Sequence, residues 1–295
     1  MDFKHILASA LLFLFSTLIQ AADNPGIAFV HGTNDHRDDA YGIYWKTDYI
    51  DTVARGLPNP ENYFVVHCDF SKYMWDQDAG DCTVEQLLQF IKDKNISTLT
   101  VYTHSNGGNV LRWILSNPTY SDRYMQLKDK IKQVVALAPS STGTPIADLV
   151  LSGHVLGSNL SWLLGFQGDA IKQQRVGDMR IYNEELLFGT KGRPPLPLPF
   201  KAIVGSEVIA SPFSSSSYCN GYLLNAGLKI TNLYLDKCAD GFLNCSSQEA
   251  AGEIWFRDKE KLENNTPLNH NQSRHSCFGL EKILISALDT EGAVK

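Results

Sequence analysis

A serine inside a short polar segment is the clearest chemical feature of the sequence. The β-branched run 98–103 ends in His104-Ser105-Asn106-Gly107-Gly108, and a helix-like stretch follows at once. This order predicts a sharp strand-to-helix turn that exposes the Ser105 hydroxyl, and small residues allow the close backbone approach that such a turn requires. We therefore predict that Ser105 is a nucleophile. The alternative is an ordinary helix-capping serine.

A nucleophilic serine needs a general base and an acid that orients the base. In a sheet with this kind of turn, the acid and then the base are expected to follow the serine along the chain. Asp240, in an Asp-Gly pair between two cysteines, is the leading candidate for the acid. Asp236 and Glu207 are the alternatives. A plain Asp-Gly turn would also explain the Asp240 segment.

Two histidines near the C-terminus compete for the role of the base. His270 and His275 both lie just before a predicted C-terminal helix. His270 is the leading candidate, since its ring could reach over the end of the sheet, but His275 is only five residues away and competes directly. A solvated loop histidine is the alternative interpretation for either residue.

Backbone amides near the serine are predicted to stabilise the negative charge that develops on an attacked carbonyl oxygen. The amide of Thr33 follows a predicted strand that ends in His31-Gly32, and the amide of Asn106 directly follows the serine. One donor of this kind is worth about 3 kcal/mol in a well-formed site. We expect His31 to hold this loop by hydrogen bonds. The charged segment 36–39 is predicted to be solvated surface.

The hydrophobic pattern predicts strands that alternate with helices. Short apolar or β-branched runs predict strands at 26–31, 62–67, 98–103, 131–138 and 200–204. Apolar residues at helical spacing predict helices at 83–94, 108–115 and 278–288. This alternation predicts an α/β fold with a mostly parallel central sheet flanked by helices. Ligands of such sheets bind at the carboxyl ends of the strands, where Ser105 and Thr33 fall.

One segment interrupts the alternation. Residues 140–190 form a long insertion that we predict to be a helical cap, and the Pro-rich stretch 191–199 reads as an extended connector. The insertion contains many apolar side chains: Leu149, Leu151, Val155, Leu156, Leu160, Trp162, Leu163, Leu164 and Phe166. These side chains suit a long acyl chain, since each buried CH₂ contributes about 0.8 kcal/mol. They could equally pack onto the domain beneath.

The N-terminus predicts export. Lys4 precedes an apolar run from residue 6 to 19, and Ala21-Ala22 supplies a cleavage site of small residues. Residues 1–22 are therefore predicted to be a signal peptide and 23–295 a single domain, secreted or periplasmic. The net charge of −6 comes without a basic cluster and gives no reason to expect nucleic acid as a partner.

The cysteine count agrees with an oxidising compartment. All six cysteines follow residue 22, and an even number in an exported chain favours disulfides over metal binding. We expect Cys68 to pair with Cys82 and the remaining four to pair among themselves in the C-terminal third.

Five segments together resemble the α/β-hydrolase superfamily and, within it, the secreted bacterial serine lipases. The segments are Phe29-Val-His-Gly-Thr33, Thr103-His-Ser-Asn-Gly-Gly108, Ala138-Pro-Ser-Ser-Thr-Gly-Thr-Pro-Ile-Ala-Asp148, Asp240-Gly-Phe-Leu-Asn-Cys-Ser-Ser247 and Asn269-His270. The resemblance covers most of the mature chain as separate motifs. It implies an α/β-hydrolase fold with a cap insertion.

The resemblance also implies roles for particular residues. It assigns Ser105 as nucleophile, Asp240 as acid and His270 as base, and it is the reason that we place His270 above His275. A mechanism with these three residues requires no cofactor. Thr103 replaces the first glycine that is usual in the serine pentapeptide. Those lipases often bind a structural Ca²⁺ through an aspartate two residues after the base; this chain has Gln272 there, which disfavours calcium.

These observations predict an exported serine hydrolase that cleaves acyl or lipid esters through an acyl-enzyme intermediate, with transient contact with a lipid surface. A thioesterase or an acyltransferase with the same three residues is an alternative. A catalytically inert lipid-binding module on the same scaffold is another. The histidines lack the spacing of metal ligands, which disfavours a metal-dependent hydrolase.

Overall fold

A computed structural model describes residues 23–152 and 168–288 of the chain. The predicted signal segment 1–22 lies outside these residues. So do seven of the nine apolar residues noted in the cap: Val155, Leu156, Leu160, Trp162, Leu163, Leu164 and Phe166.

The centre of the molecule is a six-stranded sheet in which every neighbouring pair is parallel. Its strands are β1 (Gly26–Val30), β3 (Tyr63–Val65), β5 (Leu99–His104), β6 (Ile131–Leu137), β7 (Phe200–Val204) and β8 (Glu253–Arg257). Their order across the sheet is β3-β1-β5-β6-β7-β8. A short antiparallel pair, β2 (Asn34–Asp35) and β4 (Asp69–Phe70), lies apart from it. The predicted parallel sheet is confirmed.

Helices connect these strands. The described α-helices are α1 (Thr47–Ala54), α2 (Cys82–Asp93), α3 (Gly107–Ser116), α4 (Asp122–Lys130), α5 (Pro145–Leu151), α6 (Asp169–Gln173), α7 (Val176–Glu185), α8 (Tyr222–Thr231), α9 (Cys245–Gln248) and α10 (Leu280–Ser286). Shorter helical turns occupy Gln77–Asp81, Ser215–Tyr218, Asn232–Tyr234, Glu263–Asn265 and Gln272–Arg274.

Both faces of the sheet are covered, because neighbouring side chains on one strand enter different cores. Ala28 and Val30 pack into a core shared with α2, α3 and α4. Ile27 and Phe29, which alternate with them along the strand, pack into a second core shared with α1 and α10. Successive residues of a strand point to opposite faces, so a strand buried on both sides has the continuous apolar run seen in β1.

The cap insertion is helical where the structure describes it. Thr144 caps α5 by accepting a hydrogen bond from the amide of Ile146, and Pro145 occupies the first helical position. Helices α6 and α7 follow before the extended connector 191–199. Leu151, at the end of α5, is 44% exposed.

The six cysteines form three disulfides: Cys68–Cys82, Cys219–Cys277 and Cys238–Cys245. The predicted pairing is therefore confirmed. The third bridge closes a short loop around Asp240. Among the described helices, none has the length and apolar character needed to cross a bilayer.

Candidate active site

Ser105 sits on a strained turn at the carboxyl end of β5. Its φ is +54°, a conformation that costs energy for a residue with a side chain and that clusters at functional sites. The Ser105 amide donates to the Leu137 carbonyl at 3.0 Å, which fixes the turn to β6. A Cβ on Gly107 would lie 2.2 Å from the His31 carbonyl oxygen, so this position tolerates only glycine. The sequence forms this turn because its small residues permit it.

Asp240 and His270 form a buried pair. The Asp240 carboxylate accepts a hydrogen bond from Nδ1 of His270 at 2.8 Å. The other carboxylate oxygen accepts from the amides of Phe242 at 2.9 Å and Leu243 at 2.7 Å, and the His270 amide donates to the Asp240 carbonyl at 2.8 Å. These bonds fix the carboxylate and place the ring proton on Nδ1, which leaves Nε2 of a neutral His270 as a proton acceptor.

The two other candidate acids lie elsewhere. Glu207 is paired with Lys259 at 3.5 Å, and Asp236 is exposed on the surface. Neither carboxylate contacts a histidine among the described residues. Asp240 is the candidate acid that the fold brings to a candidate base.

Ser105 and His270 line one small cavity of about 220 Å³ at the carboxyl end of the sheet. Its described lining residues are Thr33, Asn34, His36, Tyr44, His104, Ser105, Leu224, Phe242, His270, Asn271 and Arg274. The His270 ring stacks on Phe242, with ring centroids 4.7 Å apart. Residues from β5 and from the segments that follow β1, β5, β7 and β8 therefore line the same cavity.

His275 does not line this cavity in the described part of the chain. Its Nε2 is buried without a hydrogen-bond partner. Burial, together with the nearby Arg274 and Lys46 charges, lowers the pKa of His275 to about 3. A ring held neutral in this way, away from the serine, has no evident role in proton transfer there.

One of the two predicted oxyanion donors belongs to a residue that lines the cavity, and the other belongs to the residue directly after Ser105. Thr33 lines the cavity directly, next to Gly32. Asn106 follows Ser105 at the start of α3, where backbone amides have no acceptor within the helix. The Asn106 side-chain oxygen accepts from the side-chain Nε2 atoms of Gln173 at 3.0 Å and Gln174 at 2.5 Å, so the cap is tied to the residue after the serine.

A hydrogen-bond chain through Tyr44 connects three parts of the site. The Gly32 amide donates to the Tyr44 hydroxyl at 2.8 Å, and the hydroxyl lies 2.5 Å from Nδ1 of His104. Because the His270 carbonyl can only accept, Nε2 of a neutral His104 carries the proton and donates to it at 2.9 Å, and the Tyr44 hydroxyl donates to Nδ1. Burial lowers the pKa of His104 well below its ordinary value and raises that of Tyr44 to about 12. Both groups are therefore neutral.

The two histidines near the first strand have different positions. His31 is buried, with Nδ1 2.9 Å from the Gly32 carbonyl and Nε2 3.0 Å from the Cys68 carbonyl; burial lowers its pKa to about 3. Since a neutral ring has one N–H, one of these two contacts is a donated bond. His36 lines the cavity and pairs with Asp39 at 2.7 Å. The prediction of a wholly solvated segment 36–39 is therefore wrong for His36.

Gln272 stands where the resembling lipases carry a calcium ligand. Its side chain accepts from the Asn269 amide at 3.1 Å and donates to the Cys219 carbonyl at 3.1 Å, so it braces the loop before α10. Among the described residues, no cluster of three or more His, Cys, Asp or Glu side chains has the arrangement of a metal site.

Comparison with solved structures identifies the fold. The lipase BlEst2 of Bacillus licheniformis, in mature form, is similar with a TM-score of 0.56 and 17% identity, over 90% of this chain and 92% of the other. Lipase 1 of Pelosinus fermentans is similar with a TM-score of 0.55 and 14% identity, over 91% and 99% of the two chains. The metagenomic carboxyl esterase MGS0156 is similar with a TM-score of 0.53 and 14% identity, over 90% of this chain and 75% of the other.

By sequence, no protein-family model and no curated protein matches the chain. The likeness to these solved structures, together with the parallel sheet, nevertheless identifies the fold of the chain. The chain has the α/β-hydrolase fold, and it resembles the lipases and esterases built on that fold.

Proposed function

We propose that this protein is an exported serine hydrolase that cleaves carboxylic esters, with Ser105 as nucleophile, His270 as general base and Asp240 as the orienting acid. One observation carries the proposal. The Asp240–His270 hydrogen bond of 2.8 Å lies behind a cavity whose wall also holds Ser105 on a turn with positive φ. This combination supplies a hydroxyl at the cavity wall, an oriented imidazole and a buried carboxylate, as acyl transfer requires.

The first half-reaction forms an acyl-enzyme. The Ser105 oxygen attacks the ester carbonyl while Nε2 of His270 takes the hydroxyl proton, and Asp240 stabilises the resulting imidazolium. The amides of Thr33 and Asn106 donate to the oxyanion. The C–O bond to the alcohol then breaks, and the alcohol leaves with the proton from His270.

The second half-reaction reverses these roles with water. His270 accepts a proton from the water molecule as its oxygen attacks the acyl carbon. The bond to Ser105 breaks, the serine oxygen regains the proton from His270, and the carboxylic acid leaves. No group outside the chain is needed. A thioester or a second alcohol could enter the same two steps, which keeps thioesterase and acyltransferase activity as alternatives.

Apolar surface beside the cavity supports an acyl or lipid ester as substrate. Leu224 of α8 lines the cavity. On the same helix, the Leu223 and Ile230 residues are 83% and 51% exposed to solvent. Phe213 and Leu233, near its two ends in sequence, are 98% and 80% exposed. The stretch 208–235 has one charged residue, Lys229. Exposed apolar side chains on the helix that also lines the cavity suit transient contact with a lipid surface.

Export is supported by the cysteine chemistry. All six cysteines are in disulfides, and such bridges persist in oxidising compartments. Together with the N-terminal segment 1–22, this favours a secreted or periplasmic location.

Ser105→Ala tests the proposal. We expect hydrolysis of p-nitrophenyl butyrate to fall by at least ~10³-fold, because loss of the nucleophile removes the covalent route. The circular dichroism spectrum and the melting temperature should stay close to those of the unaltered protein. A fluorophosphonate probe should label the unaltered protein at Ser105 and leave the variant unlabelled. Unlabelled wild-type protein without esterase activity would instead favour an inert lipid-binding module.

A further inference from the structure

The described residues that line the cavity include a positive side chain and no negative one. Of the eleven described residues that line it, none is Asp or Glu. Asp240 lies behind His270 and is fully buried, and the Asp39 carboxylate is hydrogen-bonded to His36. The permanently charged side chain at the wall is Arg274. In a protein with a net charge of −6, the candidate catalytic cavity therefore presents positive charge.

Arg274 is held in place by Tyr44. Its guanidinium lies over the Tyr44 ring, 4.1 Å from the ring centroid, and Nη1 donates to the Tyr44 carbonyl. Nη2 makes a long contact of 3.4 Å with the Asn271 side-chain oxygen. The packing against an aromatic ring fixes the plane of the guanidinium, and a fixed plane favours two-point recognition of an anion.

Arg274 forms no ion pair within residues 23–152 and 168–288, and its Nε is buried without an acceptor. The Asp39 carboxylate interacts with the Arg274 charge at longer range. A guanidinium carries five N–H donors, and the two contacts described above use only part of them. A buried or half-buried charge is usually paired, because an unpaired one costs desolvation energy. Here Arg274 lines the cavity that also holds Ser105.

We propose that Arg274 is a substrate-binding residue, and that the preferred esters carry an anionic oxygen group, a carboxylate or a phosphate, on the molecule whose carbonyl reaches Ser105. This inference rests on the proposed ester hydrolase function and narrows its substrate class. The anion accepts charge-assisted hydrogen bonds from the free edge of the guanidinium. His36 and Asn34 also line the cavity and supply polar groups, while Leu224 and Phe242 supply apolar surface.

Two matched pairs of esters test the proposal and distinguish the two sources of the anion. Monobutyl glutarate and butyl valerate differ by a carboxylate in place of a methyl group on the acyl side. 1-Butyrylglycerol 3-phosphate and 1-butyrylglycerol differ by a phosphate on the alcohol side. We expect the unaltered protein to hydrolyse at least one anionic ester with a kcat/KM about tenfold or more above that of its neutral partner, as a charge-assisted hydrogen bond allows.

The variants then assign the preference to one side chain. Arg274→Gln should reduce the anionic-to-neutral ratio of kcat/KM about tenfold, and Arg274→Lys should restore part of it. Arg37→Gln is the matched control, because Arg37 is 55% exposed and paired with Asp35 at 2.6 Å; it should leave the ratio unchanged. Equal kcat/KM within both ester pairs, or an unchanged ratio in Arg274→Gln, would overturn the proposal.

Binding gives a readout that is independent of turnover. Calorimetric titration of the Ser105→Ala protein with monobutyl glutarate and with 1-butyrylglycerol 3-phosphate should show affinity for at least one of them. Adding Arg274→Gln should weaken that affinity about tenfold. If the unaltered protein hydrolyses neutral esters but binds neither anionic ester, the hydrolase assignment stands and the role of Arg274 is wrong. If no ester is hydrolysed but an anion binds through Arg274, the binding role of Arg274 stands and the hydrolase assignment is wrong.

Discussion

The Asp240–His270 pair shows how a few hydrogen bonds select one histidine from two neighbours in sequence. Both histidines are buried, but only His270 has a carboxylate on Nδ1 and a place at the cavity wall. The neighbouring His275 is neutral and has an unpartnered Nε2. The difference is in the surroundings of each ring, since the two residues are of the same type.

The Asp240→Asn variant tests whether the carboxylate of Asp240 holds the proton of His270 on Nδ1. An amide nitrogen facing Nδ1 favours the opposite tautomer, which puts the proton on Nε2 and removes the acceptor for the Ser105 hydroxyl. We expect kcat for p-nitrophenyl butyrate to fall by roughly 10²–10⁴-fold with little change in KM. His275→Gln is the comparison and should lower kcat much less than His270→Gln. The reverse order for the two histidines would contradict the assignment of the base.

Tyr44 is a positioning residue that sequence patterns do not identify. Its hydroxyl joins the Gly32 amide to His104, which in turn holds the His270 carbonyl. Tyr44→Phe keeps the ring beneath Arg274 but leaves two buried groups without their partner, at a cost of about 1–3 kcal/mol. We expect a roughly tenfold lower kcat/KM, seen with both members of each ester pair. A change confined to the anionic esters would contradict this positioning role and indicate an effect through Arg274.

The residues that can be predicted from sequence are those with a local signature. Ser105 has a strand, small residues and a helix around it, and Asp240 and His270 follow in the expected chain order. Tyr44 and Arg274 have no such signature. Their positions at the site depend on a contact between residues 230 positions apart, which only the folded chain reveals.

At the level of elements, the turn between β5 and α3 is tightly constrained. Gly107 is the first residue of that helix, and the backbone of the loop after β1 passes directly against it. Because the facing atom is a carbonyl oxygen of the main chain, no side-chain rotation can relieve an added methyl group. The close approach is what brings the Thr33 loop beside Ser105.

Gly107→Ala should therefore destabilise the protein. We expect the free energy of unfolding to fall by about 1–3 kcal/mol or more, as overpacking does in a dense core, and esterase activity to fall with it. Gly177→Ala in α7 is the matched control, because nothing lies within 4 Å of the added Cβ. It should raise the stability by roughly 0.5–1 kcal/mol through helix propensity. Urea unfolding of both variants measures the difference; equal effects would contradict the steric argument.

Elements were predictable where burial is complete on both sides. Strands β1, β5, β6 and β7 are apolar or β-branched runs, and their positions were predicted to within a residue or two. Strand β8 was missed: it is the last strand of the sheet, and only Trp255 and Phe256 of its five residues are buried. Helix α8 was missed for a related reason, since its exposed face carries leucine and isoleucine and so lacks the usual polar pattern.

At the scale of the whole molecule, three histidines are enclosed by the fold in their neutral form. Burial lowers the pKa of His31 and of His275 to about 3, and lowers that of His104 well below its ordinary value of 6.5. In the unfolded chain each would accept a proton below about pH 6.5. The number and placement of histidines are readable from the sequence, whereas their enclosure follows from the tertiary fold.

This enclosure predicts a loss of stability in mild acid. Because the folded pKa values are depressed, the unfolded state binds more protons below pH 6.5, so the free energy of unfolding falls as the pH falls from there towards 3. A histidine with a folded pKa near 3 contributes a loss of about 2 kcal/mol between pH 7 and pH 5. Urea unfolding at those two pH values, where most carboxylates remain ionised, should show the combined decrease. His275→Gln, which changes a residue away from the cavity, should reduce that decrease by about 2 kcal/mol; an unaltered pH dependence would show that this ring is not held neutral by the fold.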